Sequence, residues 1–497
     1  MNSINQRIAN ATKWSSLAEV AAKIVLPIVN MILARLLTPE AFGIVATINI
    51  VITFAEVFQD AGFQKYIIQH DFDDENDFVQ CSNVAFWTNL SISVFVFFVI
   101  VVFSKQVAVL VGDVSLNKEI VVASFSIPIF SLSSMQTAQY KRAMDFKRLF
   151  WVRLITSFIP LFVSVPLAFI LRSHWALIIG TLVRNIILVF ALSYKAFWRP
   201  SFYYSFLKLK KMFSFCIWTL FEAITIWLAG NINVFIVTKS LGVETVGLFK
   251  NSIATSTSIL GIVSAATTSV LFTSLSRCQN ETDEFNSVFY NYQKLVSLLI
   301  IPMGVGMYLY RDLVTLVLLG NKWMECADFI GLYSIALSVT IVTSYFFSEL
   351  YRAKGRPKVS TIAQLCYIAL LVPATYYSVQ KGFNALCIAT VLLLGAFIIV
   401  HFVLIVILFR DIKIHIMIFN VFQVVIPATI MAGCSFALKI ISDRLIWQIA
   451  SIFICIIVYF SLVIAIKPLR ETVSRNPITE EAYLRIKNRF SFKKRIK

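Results

Sequence analysis

The residues that can do chemistry here are the ionisable and amide side chains set inside otherwise apolar runs. Such groups are costly in hydrocarbon and usually face a bundle interior or a wet cavity. Glu19 and Lys23 are four apart in the run 15–37, so on a helix they share a face and can pair. Asn30 lies seven beyond Lys23, on about the same face, which makes a polar stripe. Arg184 stands near the middle of the run 175–194, and Lys250 and Asn251 open the run 246–273. Glu56 and Asp60 are four apart at the end of the run 41–60, and Glu222 lies in the run 212–238.

Lys23, Asn30, Lys250 and Asn251 are candidates for lining a substrate cavity, and Arg184 for contacting a substrate phosphate. A cation attracts phosphate more strongly in low dielectric than in water. Glu19, Glu56, Asp60 and Glu222 are candidates for coupling to a proton or another ion; Glu56 and Asp60, four apart, repel each other and so favour binding a proton. Each also has a structural reading. Glu19–Lys23 can be a self-satisfied pair, Arg184 can tie to a carboxylate such as Glu222, and Lys250 can snorkel to the interface. Glu56 and Asp60 can simply reach water. Asn231 and Asn233 cannot share one helix face, so at least one serves packing.

No catalytic constellation accompanies these residues. The chain has no GxSxG, no P-loop and no paired metal ligands, which points away from an enzyme, a bound metal or an organic cofactor. The eight cysteines Cys81, Cys216, Cys278, Cys326, Cys366, Cys387, Cys434 and Cys455 form no CxxC pair, and most fall inside apolar runs as buried free thiols.

The elements that must carry these side chains are long and apolar. Of the 497 residues, 59% are hydrophobic and 14% charged, with a mean hydropathy of +0.81. A soluble domain carries about 25% charged residues. Fourteen spans are expected, at 15–37, 41–60, 82–104, 119–140, 151–171, 175–194, 212–238, 246–273, 290–310, 328–350, 359–379, 385–409, 417–439 and 445–466. The fold class is therefore an all-α polytopic membrane protein. The net charge of +18 lies in short loops and the C-terminal tail rather than in a basic groove, which argues against nucleic acid. Lys and Arg favour one side of the membrane by about three to one, so both termini face the cytoplasm. The basic loops 141–153, 195–211 and 351–358 are expected on membrane-lipid headgroups, and 477–490 in the tail reads as a short interfacial helix.

Two echoes suggest a duplication. RLLTPEAFG (35–43) resembles KSLGVETVG (239–247) at an offset of 204, which aligns Gly43 with Gly247. YKRAMDFKR (140–148) resembles YRAKGRPK (351–358). The repeat is six helices long, so the two copies run parallel. This predicts an N-lobe at 1–211, a C-lobe at 212–416, two further helices at 417–466 and a basic tail at 467–497.

ARLLTPEAFGIVA (34–46), FQDAGFQKYIIQ (58–69) and QYKRAMDFKRL (139–149) resemble segments of Wzx-type flippases, the polysaccharide transporters of the multidrug/oligosaccharidyl-lipid/polysaccharide exporter superfamily. The resemblance implies two six-helix lobes around a cavity that opens alternately to each side of the bacterial inner membrane. It implies an undecaprenyl-diphosphate-linked oligosaccharide as substrate, with Lys23 and Lys250 on the helices whose cations would meet the diphosphate. Proton or sodium coupling stays open, as do a polysaccharide polymerase and a chain-length regulator as partners. A multidrug exporter of the same superfamily is the nearest alternative, and a membrane glycan polymerase or ligase a more distant one.

Overall fold

The computed structural model describes residues 25–59, 62–70, 72–194, 198–277, 282–354, 358–409, 411–442 and 444–474, with Trp14, Leu17, Ala21, Ala196 and Arg356 as isolated positions. Among the described residues every regular element is helical. In chain order they are α1 (Val25–Leu36), α2 (Pro39–Gln59), α3 (Phe63–Gln69), α4 (Glu75–Val102), α5 (Ser104–Leu110), α6 (Asn117–Ser124), α7 (Ser126–Arg142), α8 (Phe146–Phe162), α9 (Ser164–Leu171) and α10 (Trp175–Ser193). There follow α11 (Phe206–Arg277), α12 (Thr282–Leu309), α13 (Arg311–Leu318), α14 (Ala327–Thr340), α15 (Phe346–Ala353), α16 (Lys358–Val379), α17 (Phe383–Leu408), α18 (Ile414–Ile441), α19 (Leu445–Ala465) and α20 (Lys467–Ser474).

Twelve of the described helical stretches are long and apolar enough to cross a membrane, against fourteen spans expected from sequence. The first expected span is described only as the short helix Val25–Leu36. A pair bent by 46°, Phe206–Phe213 and Phe215–Leu228, overlaps the start of the expected seventh span; counting that pair as one span brings the total to thirteen. Within α11 the backbone leaves helical geometry at Gly242 (φ 83°, ψ 172°), which separates the expected seventh and eighth spans. Only glycine enters that region of φ/ψ space without steric penalty.

The described residues gather into two compact units. One holds residues 1–258, 316–326 and 368–389; the other holds 259–315, 327–367 and 390–497. In the first, α7 packs against α3, α4 and α10. Its buried positions are largely small and polar: Ser126, Ser131, Ser133, Ser134, Gln136 and Gln139. Ser131 and Ser133 donate back to the carbonyls of Pro128 and Phe130, both at 2.8 Å, so their hydroxyls are satisfied on their own helix. Large apolar side chains such as Phe98, Phe162 and Phe190 point outward. Hydrocarbon outside and small polar residues inside is the arrangement lipid favours, because close packing and internal hydrogen bonds drive helix association there. In the second unit, α12 packs against α14 and α18, and α18 against α19. Gly304 sits directly on Ser338, and Lys294 donates to the Pro468 carbonyl at 3.0 Å, which holds α20 to α12.

Left-handed turns recur along the chain. Gly112 and Gly320 both adopt left-handed φ, 97° and 98°, at the ends of the short helices α5 and α13. Arg172 (φ 48°) and Gly382 (φ 95°) form a second left-handed pair. The two basic loops close alike: Asp145 N donates to the Tyr140 carbonyl at 2.9 Å, and Arg356 N to the Tyr351 carbonyl at 2.8 Å. Both are helix C-terminal caps, and in the first Met144 takes left-handed φ, 57°.

The repeated segments also meet each other. A Cβ on Gly43 would stand 1.6 Å from the Val243 carbonyl oxygen, and one on Gly247 would stand 1.9 Å from the Pro39 carbonyl oxygen. Val243 is offset from Pro39 by the same 204 residues that separate Gly247 from Gly43, so the contact is reciprocal. A second reciprocal contact flanks it, with Gly112 against Lys239 and Gly320 against Arg35.

Gly43→Ala and Gly247→Ala are therefore expected to lower the apparent melting temperature of the purified protein by several degrees, since overpacking costs about 1–3 kcal/mol. Gly395→Ala, in α17 with nothing within 4 Å, should leave it unchanged or raise it. Equal melting of all three would contradict the contact.

Candidate functional site

The polar positions of the first unit lie in two places, one where α1 meets α11 and one where α2 comes near α10. Asn30 of α1 donates through Nδ2 to Asn251 Oδ1 at 2.8 Å. Asn251 is 4% exposed, and its own Nδ2 has no partner among the described residues. An amide that cannot satisfy both donors in a dry interior is unusual and is a position at which a ligand acceptor would be welcome. Lys250 precedes it, half-buried, and no described carboxylate forms an ion pair with it. Its neighbours Ser252, Thr255 and Ser256 are buried too, and Ser252 donates to the Leu248 carbonyl at 2.6 Å.

Arg184 of α10 is half-buried and lies within electrostatic reach of Glu56 on α2 and Arg153 on α8. Sequence reasoning looked for an Arg184 partner in Glu222. The structure brings in Glu56, seen earlier only as one of a pair near the helix end. Glu56 and Arg184 are 128 residues apart, and no spacing rule links them. The Glu222 side chain, Asp60, Glu19 and Lys23 lie outside the described residues.

Two aromatic features carry no signature in the sequence. Trp227 Nε1 donates to Thr53 Oγ1 at 3.0 Å, and its ring lies 4.7 Å from that of Phe54, which in turn meets Phe58 edge-on at 5.1 Å. In the other unit, His401 is 1% exposed. Its Nδ1 lies 3.1 Å from the Tyr351 hydroxyl, its ring is stacked on Tyr351 and Phe347, and its Nε2 has no described partner. Asn231 and Asn233 turn out to be local: Asn231 Nδ2 donates to the Trp227 carbonyl at 3.1 Å, and Asn233 Oδ1 accepts from Val234 N at 2.8 Å.

Several charged loop residues are structural. Asp74 caps α4 by accepting from Asp77 N, and Asp77 pairs with Lys208. Arg142, expected on lipid headgroups, instead donates to the carbonyls of Ile67 at 2.8 Å and His70 at 2.7 Å. It thereby closes the C-terminus of α3, with Phe72 and Phe78 beneath its guanidinium. Among the described residues no group of three or more His, Cys, Asp or Glu is arranged to hold a metal ion, and the described cysteines are free thiols.

The chain belongs to the polysaccharide biosynthesis protein family, whose model matches residues 32–328. It is 24% identical over 383 residues to an uncharacterized membrane protein in the cps region of Klebsiella pneumoniae, a match covering 76% of this chain and 77% of that one. It is 21% identical over 375 residues to the lipopolysaccharide biosynthesis protein WzxC of Escherichia coli (strain K12), covering 75% of each. Among solved structures, the fold resembles the lipid II flippase MurJ in an inward closed conformation, with a TM-score of 0.75, 15% identity, and 90% of this chain and 98% of that one covered.

The Asn30–Asn251 bond should behave as one unit. Thermal unfolding of Asn30→Ala, Asn251→Ala and the double variant should show the double melting near the worse single variant, because interhelical bonds in membranes contribute about 0.6 to 1.7 kcal/mol once, not twice. Strictly additive losses would mean the two amides do not interact.

Proposed function

We propose that the chain moves undecaprenyl-diphosphate-linked oligosaccharide repeat units from the cytoplasmic to the outer leaflet of the bacterial inner membrane by alternating access, as a transporter rather than an enzyme. The observation that carries this reading is Lys250: a half-buried cation without a described counter-ion, beside an amide with a free donor. An uncompensated charge in a low-dielectric interior is unstable unless something anionic visits it. A diphosphate is such a visitor, and its sugars would use the amide and hydroxyl groups of Asn30, Asn251 and the serines and threonines that follow.

Membership in the polysaccharide biosynthesis family supports the same substrate class. The structural relative is named a lipid II flippase, and parallel repeats in transporters generally rock about a central site. The lobes would be residues 1–211 and 212–416, with 417–466 as added helices and both termini in the cytoplasm. Lys23 and Arg184 would complete the anion-binding set with Lys250. Arg184 differs in having Glu56 nearby. That pair gives a route to coupling: a carboxylate freed from its arginine when substrate phosphate takes over the guanidinium can bind a proton or sodium. Glu19, Asp60 and Glu222 are the remaining coupling candidates.

The experiment is leaflet-resolved. Deleting the gene in its host should make the lipid-linked glycan accumulate on the cytoplasmic leaflet, and the wild-type gene should reverse this. Lys250→Met and Arg184→Met should insert normally yet restore surface glycan about tenfold less well, equivalent to about 1.4 kcal/mol. Normal outer-leaflet display in the deletion strain, with altered drug sensitivity instead, would favour an exporter. Full complementation by both variants would remove the cation argument.

A further inference from the structure

The segment joining α10 to α11 is fixed to α4 by side chains that meet it from several directions. Asn83 Nδ2 donates to Ser201 Oγ at 2.7 Å, while Ser201 N donates to Asn83 Oδ1 at 3.0 Å. Trp87 Nε1 donates to the Ser201 carbonyl at 2.8 Å, and the Thr88 and Tyr204 hydroxyls lie 3.0 Å apart. The Phe202 ring stacks on Trp87 at 5.1 Å, Trp198 is buried against Phe86, and Lys208 pairs with Asp77. A connector held this way does not wander.

Its outer side is nevertheless apolar. Phe202 is 96% exposed, Phe206 79% and Leu207 71%. An apolar ridge held away from its own protein needs a partner, since nothing in aqueous solution repays its exposure. Charge indicates which partner. No acidic residue occurs between Tyr194 and Phe221, while Arg199, Lys210 and Lys211 are exposed around the ridge. Position agrees: the connector leaves one membrane-crossing helix at Ser193 and enters the next run at Phe206, so it lies at the level of a membrane surface.

We propose that this connector is a membrane-interface anchor for an anionic phospholipid leaflet, in which Phe202, Phe206 and Leu207 enter the boundary between headgroups and acyl chains while Arg199, Lys210 and Lys211 bind lipid phosphate. Aromatic residues favour that depth, and each surface cation adds attraction to anionic lipid. The hydrogen bonds from α4 supply the order in advance, so insertion costs little further conformational freedom. The anchor thereby fixes the depth at which α11 begins. It does not depend on what the protein transports.

The test uses the full-length protein carrying p-benzoylphenylalanine in place of Phe202, in nanodiscs of phosphatidylcholine with about one quarter phosphatidylglycerol. Irradiation followed by mass spectrometry should give phospholipid adducts with phosphatidylglycerol enriched about twofold or more over its share of the disc. The combined variant Arg199→Gln, Lys210→Gln, Lys211→Gln should keep the lipid adducts and lose that enrichment; the three single variants read the same quantity if the combination fails to fold. Adducts to polypeptide, as from a second copy, would overturn the proposal. So would the absence of lipid adducts, or phosphatidylglycerol at its bulk share in the unsubstituted background.

Discussion

The backbone contact between Gly43 and Gly247 is the constraint on which the rest of the first unit depends. Neither position has room for a side-chain carbon, so α2 and the part of α11 after Gly242 touch through main chain. That close approach sets the spacing at which Thr47 faces Thr238 and Asn30 reaches Asn251. An interhelical hydrogen bond in an apolar environment is weak unless its two partners are held in register by something stiffer. Here main-chain contact supplies the stiffness, and the polar side chains contribute specificity rather than most of the binding between helices.

Around this contact the energetic logic is that of a membrane interior. The hydrophobic effect does not hold these helices together, because lipid is as apolar as their outer faces. Association rests instead on small residues that let helices approach and on hydroxyls satisfied by their own backbone, as in α7. Against that quiet background the exceptions stand out: Lys250 without a described counter-ion, Asn251 with an unused donor, and His401 sealed among aromatic rings. Each stores electrostatic cost that an ordinary structural residue would not carry.

Much of the architecture was legible in the sequence because the bilayer asks one simple thing of each span: about 20 apolar residues. The spans from α16 onward were read nearly to their ends, and the echo of 140–148 in 351–358 coincides with like backbone bonds, Asp145 N to the Tyr140 carbonyl and Arg356 N to the Tyr351 carbonyl. Two things were not legible. The first was irregular helix geometry, such as the bend between Phe213 and Phe215, since a bend leaves composition unchanged. The second was side-chain partnership over long separations. Lone polar residues could be found, and Asn30 and Asn251 were both singled out. That they bond to each other, that Glu56 approaches Arg184, or that Tyr351 meets His401 depends on helix packing that periodicity does not encode.

The two left-handed turns at Arg172 and Gly382 differ from the glycine contact in what they tolerate. Each turn is satisfied locally, its amide donating back to its own helix, so its occupant can vary alone; one position holds arginine, at about 1–2 kcal/mol of steric cost, and the other holds glycine. Gly43 and Gly247 have no such freedom. Each is pressed against backbone of the other's helix, so a larger residue at either place disturbs both at once. Substitution is thus tolerated where a turn closes on itself and barred where two helices share one surface.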